Sequence, residues 1–568
     1  MSLFSTLQMA GNSLQAVDIG LQVVGQNIAN ANTPGYSREV ENLTPGPTQR
    51  LGNVLIGSGV EVSGIVEQVN NYTLQSLYGA NSDQSSTQTQ SSTYQQLETL
   101  MGELSGSGTD LTTSVSNFFS SVQNVLDQPE SNSVRSLAVQ SGQTLAANIN
   151  SEANQVEQMQ AGLNSQISSQ AGQINQLVDQ IQQLNLQIES FQGGQSTGSD
   201  AVGLIDQRNT ALTSLSQIVN INVQQQPNGG VDVYVGGDNL VSDGEARQVA
   251  AATTTNASGQ TVTQLVMADT QSPLQATSGT YAGLLNSRDQ ILGGFLNQLN
   301  GFSNTLATEF NKIYASGQGL TGYSQVTSQN SVSNPQVPLE NAGLPSTPVN
   351  GSFQVLVTNS QTGQTQTNTI NVSLNGLGQD TTLDQVAAQL NNISGLSASV
   401  SSTGQLSISS QNSNLTFAFA NDNSGLLTSL GINTFFTGNS AATLSVNSDV
   451  ANDPSLFAAS QGGVGQDTNN VQQLAALNDA PLADQNGNSL SDLQNQIVQN
   501  VTDGSAAAKA QTNGASTYQQ GVEAQNQSIS GVNLDEETLN MITLQQTYQA
   551  SAQLVSTLNS LLQMLTQL

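Results

Sequence analysis

The chain has 568 residues, only 8% of them charged, and its 39 acidic against 8 basic residues leave a net charge of −31. So few cations cannot neutralise a run of phosphates, which argues against nucleic acid and against an anionic membrane surface as partners. There is no Cys and no His, so disulfides, thiolate metal sites, cysteine nucleophiles and the commonest general base are all missing.

Leu3, Leu7, Ala10, Leu14, Val17, Leu21, Val24 and Ile28 follow one another in alternating steps of four and three. That spacing predicts a helix over 3–28 with an unbroken coiled-coil seam. The helix should stop near Asn30, where Ala31-Asn32-Thr33-Pro34-Gly35-Tyr36 reads as a turn, with Pro34 fixing φ and Gly35 accepting a positive φ. Val54, Ile56, Val60 and Val62 among Gly52, Gly57 and Gly59 suggest a short extended or hairpin segment within 39–66. A weak helical pattern over 67–104 carries Leu74, Leu77, Leu97, Leu100 and Leu104. A helix over about 111–126 should end before Pro129.

The longest helical signal, 134–191, ends at Gly193-Gly194, and its clearest part is Ile174, Leu177, Ile181, Leu184, Ile188 and Phe191. Its length implies a rod-like helical domain. A shorter helix covers 200–218, and 219–268 reads as β from the alternation of Val231, Val233 and Val235. Helix returns over 281–314, where Leu292, Phe295, Leu299, Phe302, Leu306 and Ile313 form a seam expected to pack on that of 174–191.

Pro335, Pro338, Pro345 and Pro348 mark 317–350 as a linker or irregular loop. Residues 351–450 alternate as strands around one helix near Leu383–Leu390. Helical pattern resumes over 467–478 and 488–527, weakened by Gly504, Gly514 and Gly521. Asn533 then caps a last helix with Glu536 at capping-box spacing. Its seam is Leu534, Met541, Leu544, Tyr548, Val555, Leu558, Leu562 and Leu565, with Glu537 and Ser551 as polar positions.

The fold class is therefore α+β and multidomain: an elongated helical coiled-coil rod formed by both chain ends, with inserted mainly-β structure. The expected division is 1–46 with 530–568 as an inner coiled-coil domain, 47–318 as a helical rod domain with a small β segment at 219–268, 319–453 as an inserted outer β domain, and 454–529 as the return of the rod. Neither terminal helix can bury its seam alone, and an isolated helix of this length is marginal in water. They should pack on each other or on neighbouring molecules.

Chemical motifs are sparse. Gly317-Gln318-Gly319-Leu320-Thr321-Gly322 matches a nucleotide-binding spacing but follows a helix rather than a strand, so it reads as a flexible loop. Asp484, Asn486, Asn488 and Asp492 resemble part of a calcium loop, but the glycine is misplaced and Asn495 stands where a bidentate Glu is needed. That stretch reads as a solvated turn. Asp535-Glu536-Glu537 complements the positive end of a helix, and Asp206-Gln207-Arg208 reads as a helix surface. No catalytic residue, cofactor or metal set emerges. The start of the chain lacks a basic and continuously apolar secretory signal, and no run of 18 apolar residues is present.

The stretch Gln26-Asn27-Ile28-Ala29-Asn30-Ala31-Asn32-Thr33-Pro34-Gly35-Tyr36-Ser37-Arg38 resembles the N-terminal signature of bacterial flagellar rod, hook and hook-associated proteins. Ser530-Gly531-Val532-Asn533-Leu534-Asp535-Glu536-Glu537, with Gln545–Ala550, resembles their C-terminal signature. The endings Ser37-Arg38 and Val532–Glu537 are most similar to the hook-associated branch, as are Leu204–Arg208, Val219–Val223 and Gly283–Asp289. The resemblance is weak across 320–450.

The resemblance implies a structural part of the flagellum: a ring of subunits joining hook to filament and needed for filament assembly. It implies export through the flagellar type III apparatus with a chaperone, and contacts to hook protein and a second junction protein. It also implies terminal segments that order as a coiled coil on assembly. A zinc protease inserted in some relatives needs His and is excluded here. The alternatives are another axial protein (the hook protein or second junction protein), a surface adhesin, which would need a signal or anchor, and an enzyme.

Overall fold

The computed structural model describes residues 3–51, 54–102, 110–192, 201–256, 259–378, 380–463, 465 and 467–566. Helix α1 (Leu3–Asn30) leads into strands β1 (Glu39–Pro45), β2 (Thr48–Leu51), β3 (Val54–Gly57) and β4 (Val60–Glu67). Helices α2 (Asn71–Met101), α3 (Leu111–Asp127), α4 (Asn132–Gln192) and α5 (Val202–Ile218) follow. Then come β5 (Ile221–Gln225), β6 (Val231–Val235), β7 (Asp238–Ser242), β8 (Glu245–Ala246), β9 (Val249–Thr255) and β10 (Thr261–Met267). Helices α6 (Gly279–Asn286) and α7 (Gly293–Tyr314) are joined by a π-helical turn at Ser287–Leu292.

Next are β11 (Gln325–Thr327), β12 (Gly351–Asn359), β13 (Thr365–Val372), α8 (Leu383–Asn391), β14 (Leu396–Val400), β15 (Leu406–Ser410) and β16 (Leu415–Ala420). They lead to α9 (Leu426–Leu430), β17 (Phe436–Thr437), β18 (Ser445–Val446) and α10 (Ser448–Asn452). The chain closes with α11 (Asn469–Ala476), α12 (Leu490–Ser530) and α13 (Leu534–Thr566). The residues expected to end the longest helix, Gly193-Gly194, lie outside the described residues, as do Leu104 and Gly52.

Helix starts follow their caps. Asp110 accepts from Thr113 N at 2.6 Å to open α3, and Thr382 with Gln385 forms a capping box on α8. The acidic stretch read as a solvated turn holds another: Asp492 accepts from Ser489 N at 2.9 Å while Ser489 Oγ accepts from Asp492 N at 3.1 Å, opening α12.

The chain divides into two compact units, one built from Met1–Thr93, Ala161–Arg288 and Ala506–Leu568, the other from Tyr94–Gln160 and Asp289–Ser505. In the first, β1 pairs antiparallel with β4, β5–β8 form a sheet in sequence order, and β9 and β10 form a hairpin. The seam at 174–191 lies in the first unit and that of 292–313 in the second. Within the first unit, Asn175, Gln182 and Asn185 of α4 bond Val249, Gly244 and Val231.

In the second unit, Phe118, Phe310, Tyr314, Phe435, Phe436 and Phe457 form a continuous aromatic core, with ring centroids 4.8–5.7 Å apart between neighbours such as Phe435–Phe436 and Phe118–Phe435. A further apolar cluster includes Phe353, Val355, Val386, Leu390, Leu406, Phe417 and Phe419, gathered from β12, α8, β15 and β16. The glycine-rich stretch 317–322, expected to be a flexible loop, is packed. Gln318 N donates to Ser460 O at 2.7 Å, and a Cβ on Gly319 would lie 2.3 Å from Ser455 O. Its glycines serve close backbone approach.

Both units finish their strands with one device. A side-chain amide on a helix bonds the N–H and C=O of a strand residue as a neighbouring strand would. Asn175 does this to Val249 (2.7 and 2.8 Å), Asn185 to Val231 (3.1 and 2.8 Å), Asn391 to Ala398 (2.8 and 2.7 Å) and Gln389 to Asn371 (3.0 and 3.1 Å). Unpaired strand groups are a template for unwanted pairing, and an amide supplies both donor and acceptor without charge. This gives a charge-poor composition a structural use.

Candidate functional site: the terminal helix pair and its seat

Helices α1 and α13 pack on each other within one chain, and they run antiparallel. Ser13 Oγ lies 3.3 Å from Ser551 Oγ, a Cβ on Gly20 would lie 3.1 Å from Leu544 Cδ1, and Asn27 Nδ2 donates to Glu537 Oε2 at 3.2 Å. Leu3 and the last turn of α13 therefore share one end of the pair.

The expected seam residues are only partly buried. On α1, Val17 and Val24 are buried while Leu3, Leu7, Leu14, Leu21 and Ile28 are half-buried. On α13, Leu558 is buried and Met541, Leu544, Val555 and Leu562 are half-buried. Leu534 and Tyr548 are 49% and 44% exposed. Leu565 falls in the last turn, and its side chain lies outside the described residues.

The middle of the packed face of α1 is Ala16, Gly20, Val23 and Asn27, one position away from the heptad. The cause is a third element. A Cβ on Gly20 would meet Glu41 of β1 as well as Leu544, and Asn12 Nδ2 donates to Ser58 O just before β4. Beyond the seam, α13 leaves Leu539 (65%), Ile542, Leu554, Leu561 and Met564 exposed, and α1 leaves Phe4 (73%) exposed.

The turn after α1 is built from its own polar residues. Thr33 N donates to Asn30 O at 2.8 Å, Thr33 Oγ1 donates to Asn30 Oδ1 at 3.2 Å, and Gly35 sits at φ +82°. Asn32, Thr33 and Pro34 are exposed. A Cβ on Gly35 would lie 2.6 Å from Thr210 Oγ1 of α5, so the turn needs glycine for conformation and for space.

Asn27 is the hub of the seat. Its Oδ1 accepts from Tyr36 Oη at 2.8 Å and Glu39 N at 3.0 Å, and its Nδ2 donates to Glu39 O at 2.9 Å as well as to Glu537. Arg38 reaches α13 from the other side, with Nη2 2.8 Å from Glu537 Oε1 and Nη1 3.2 Å from Glu536 Oε2. Arg38 N donates to Ser530 O at 2.7 Å. Asn533 Oδ1 accepts from Asp535 N at 3.0 Å to cap α13.

The sequence reading missed two parts of this seat. Glu537, taken as a polar entry in the seam, is 1% exposed and carries the ion pair. Asp206 and Arg208, taken as a helix surface, are both buried. Asp206 accepts from Ser37 N at 3.1 Å, and Arg208 Nη1 donates to Gly229 O at 2.8 Å and Asn185 Oδ1 at 3.2 Å. Burial pushes the Asp206 carboxyl above its ordinary range, opposed by the Ser37 bonds. Burial, with Glu39 beside it, also pushes the Tyr36 phenol up. The paired spacing of Asp206 and Arg208 was the available signal. It faces inward because α5 lies against the turn and against the start of β6.

The arrangement is a set of contacts that fixes where two helices meet. Comparisons with known proteins agree in character. Residues 94–328 match the family model described as the flagellar hook-associated protein FlgK helical domain. Residues 7–36 match the flagella basal body rod protein model, and 523–568 the C-terminal model of the flagellar basal body rod FlgEFG proteins. The chain is 26% identical to flagellar hook-associated protein 1 of Salmonella typhimurium and 25% identical to that of Escherichia coli, each over 98% of both chains. It is 27% identical to the Bacillus subtilis protein of the same name over 40% of this chain and 46% of that one. A solved structure of the flagellar hook junction protein FlgK from Burkholderia pseudomallei is similar in fold, with a TM-score of 0.50 at 18% identity over 80% of this chain and 100% of the other.

Proposed function

Because this chain belongs to the flagellar hook-associated protein 1 family, we propose that it is a structural subunit of the bacterial flagellum, forming the junction between hook and filament on which the filament assembles. Its work is mechanical, not catalytic. The terminal helix pair is the assembly element. Leu3, Leu7, Leu14, Val17, Leu21, Val24 and Ile28 of α1, with Leu534, Met541, Leu544, Tyr548, Val555, Leu558, Leu562 and Leu565 of α13, are its seam. Asn27, Asn30, Asn32, Thr33, Pro34, Gly35, Tyr36 and Asn533 set its seat.

The observation that carries this reading is the half-finished burial of the pair. A helix pair that leaves Phe4, Leu539, Ile542, Leu554, Leu561 and Met564 in solvent has apolar surface to cover, and such surface marks an interaction site. Heterologous contacts between like subunits would cover it and build a ring of about one helical turn. Hook protein lies below in this reading and a second junction protein above.

The domain reading follows. Residues 1–46 with 530–568, 47–318 with 454–529, and 319–453 are its proposed domains. The chain leaves the cell through the flagellar export apparatus, escorted by a chaperone. Immunogold labelling of isolated flagella with antibody to residues 351–450 tests the location. A narrow band at the hook–filament joint is expected; label along the hook, along the filament, or on the cell body alone would overturn the junction role.

A further inference from the structure

Strands β1 and β4 place Glu39 directly opposite Glu67. Two like charges in direct cross-strand register repel. Here the pair is also enclosed: Glu39 is 8% exposed, and both carboxyl oxygens of Glu67 are buried and accept no hydrogen bond from the described residues. An ionised carboxylate in that position would have neither water nor a donor, so the enclosed form is the neutral acid.

The groups facing Glu67 come from each element around it. Helix α5 contributes Asp206 and Arg208, α2 contributes Tyr78, and β1 contributes Glu39. Tyr36 of the turn also interacts with Glu67, and Glu537 of α13 is tied to the same group through Asn27 and Arg38. Arg208 does not close the circuit: its Nη1 is spent on Asn185 and Gly229, and its buried Nε bonds none of the described residues.

We propose that Glu67 is a protonation-controlled latch on the seat of the terminal helix pair, closed while its carboxyl is neutral and released when it ionises. The mechanical link is short. Gln68 N, the next residue, donates to Arg38 O at 2.8 Å, and Arg38 ties β1 to α13. Forcing β4 away from β1 at Glu67 withdraws that bond and loosens Ser37, Arg38 and Glu39 together. Burial, Asp206 and Glu39 push the Glu67 carboxyl up to about 8, against the pull of Arg208. The ordinary value in an opened seat is 4.5. Closure is therefore fully favoured below the ordinary value, weakens as pH rises, and has lost this contribution once pH passes the raised value. This inference stands on the β1–β4 register and not on where the protein sits in a flagellum.

The test is amide hydrogen exchange on the full chain from pH 5 to pH 9, corrected for the intrinsic base catalysis of exchange. Protection at Ser37, Glu39 and Gln68 should fall by about tenfold per pH unit up to about 8 and then level off. Val355 and Val357 of β12 should hold constant protection. Glu67→Gln, which keeps the shape without the charge, should abolish the trend. Glu39→Gln removes the opposed carboxylate and should move the plateau to lower pH, which serves if Glu67→Gln folds poorly. Constant protection at these amides in the native chain, the same trend in Glu67→Gln, or an unmoved plateau in Glu39→Gln would overturn the latch.

Discussion

Arg38 and Glu537 stand 499 positions apart in sequence and 2.8 Å apart in the fold. That contact joins the strand after the first helix to the opening turn of the last, and it is screened from solvent on the glutamate side. Removing Arg38 leaves a buried carboxylate with Asn27 Nδ2 alone. Arg38→Ala should therefore destabilise the helix pair by about 3 kcal/mol, while Glu537→Gln, which leaves no orphaned charge, should cost less. Chemical denaturation followed by a probe on α13 checks both the size and the order.

The amide devices make a second prediction. Asn185 is 2% exposed, and Asn185→Ala leaves the N–H and C=O of Val231 and a guanidinium donor of Arg208 without partners. The expected loss is about 2–3 kcal/mol. Asn175 makes the same pair of bonds to Val249 from a half-buried position, where water can replace it. Asn175→Ala should cost about 1 kcal/mol. Equal losses at the two sites, read by denaturant unfolding, would show that burial is not what sets the value of the amide.

Much of the helical framework was legible because helix leaves a periodic trace. The 3–28 pattern gave α1 as Leu3–Asn30, and the cap Asn533 stands where the last helix begins. Contacts were less legible than elements. Heptad spacing put Leu14 and Leu21 in the seam, yet the neighbouring Gly20 and Asn27 are the more buried, because the paired strands β1 and β4 share the face and demand a small residue and an amide. Asp206 and Arg208 look like surface charges in any local window. Their partners, Ser37 and Gly229, come from other elements, so only the fold shows that they point inward. The 317–322 glycines failed in the same way: glycine spacing reports freedom or crowding equally well, and here it reports crowding.

The most direct measurement is complementation of a strain lacking this chain by a variant altered only on the open face of the pair: Leu539→Ser, Ile542→Ser and Leu554→Ser together. These residues are 65%, 46% and 41% exposed in the free chain, so the variant should fold with a melting temperature within a few degrees of the native chain. With the covering contacts weakened, it should support few or no filaments, as counted by electron microscopy. Filaments in native number on a stably folded variant would contradict the claim that the unfinished surface of the terminal helices drives assembly.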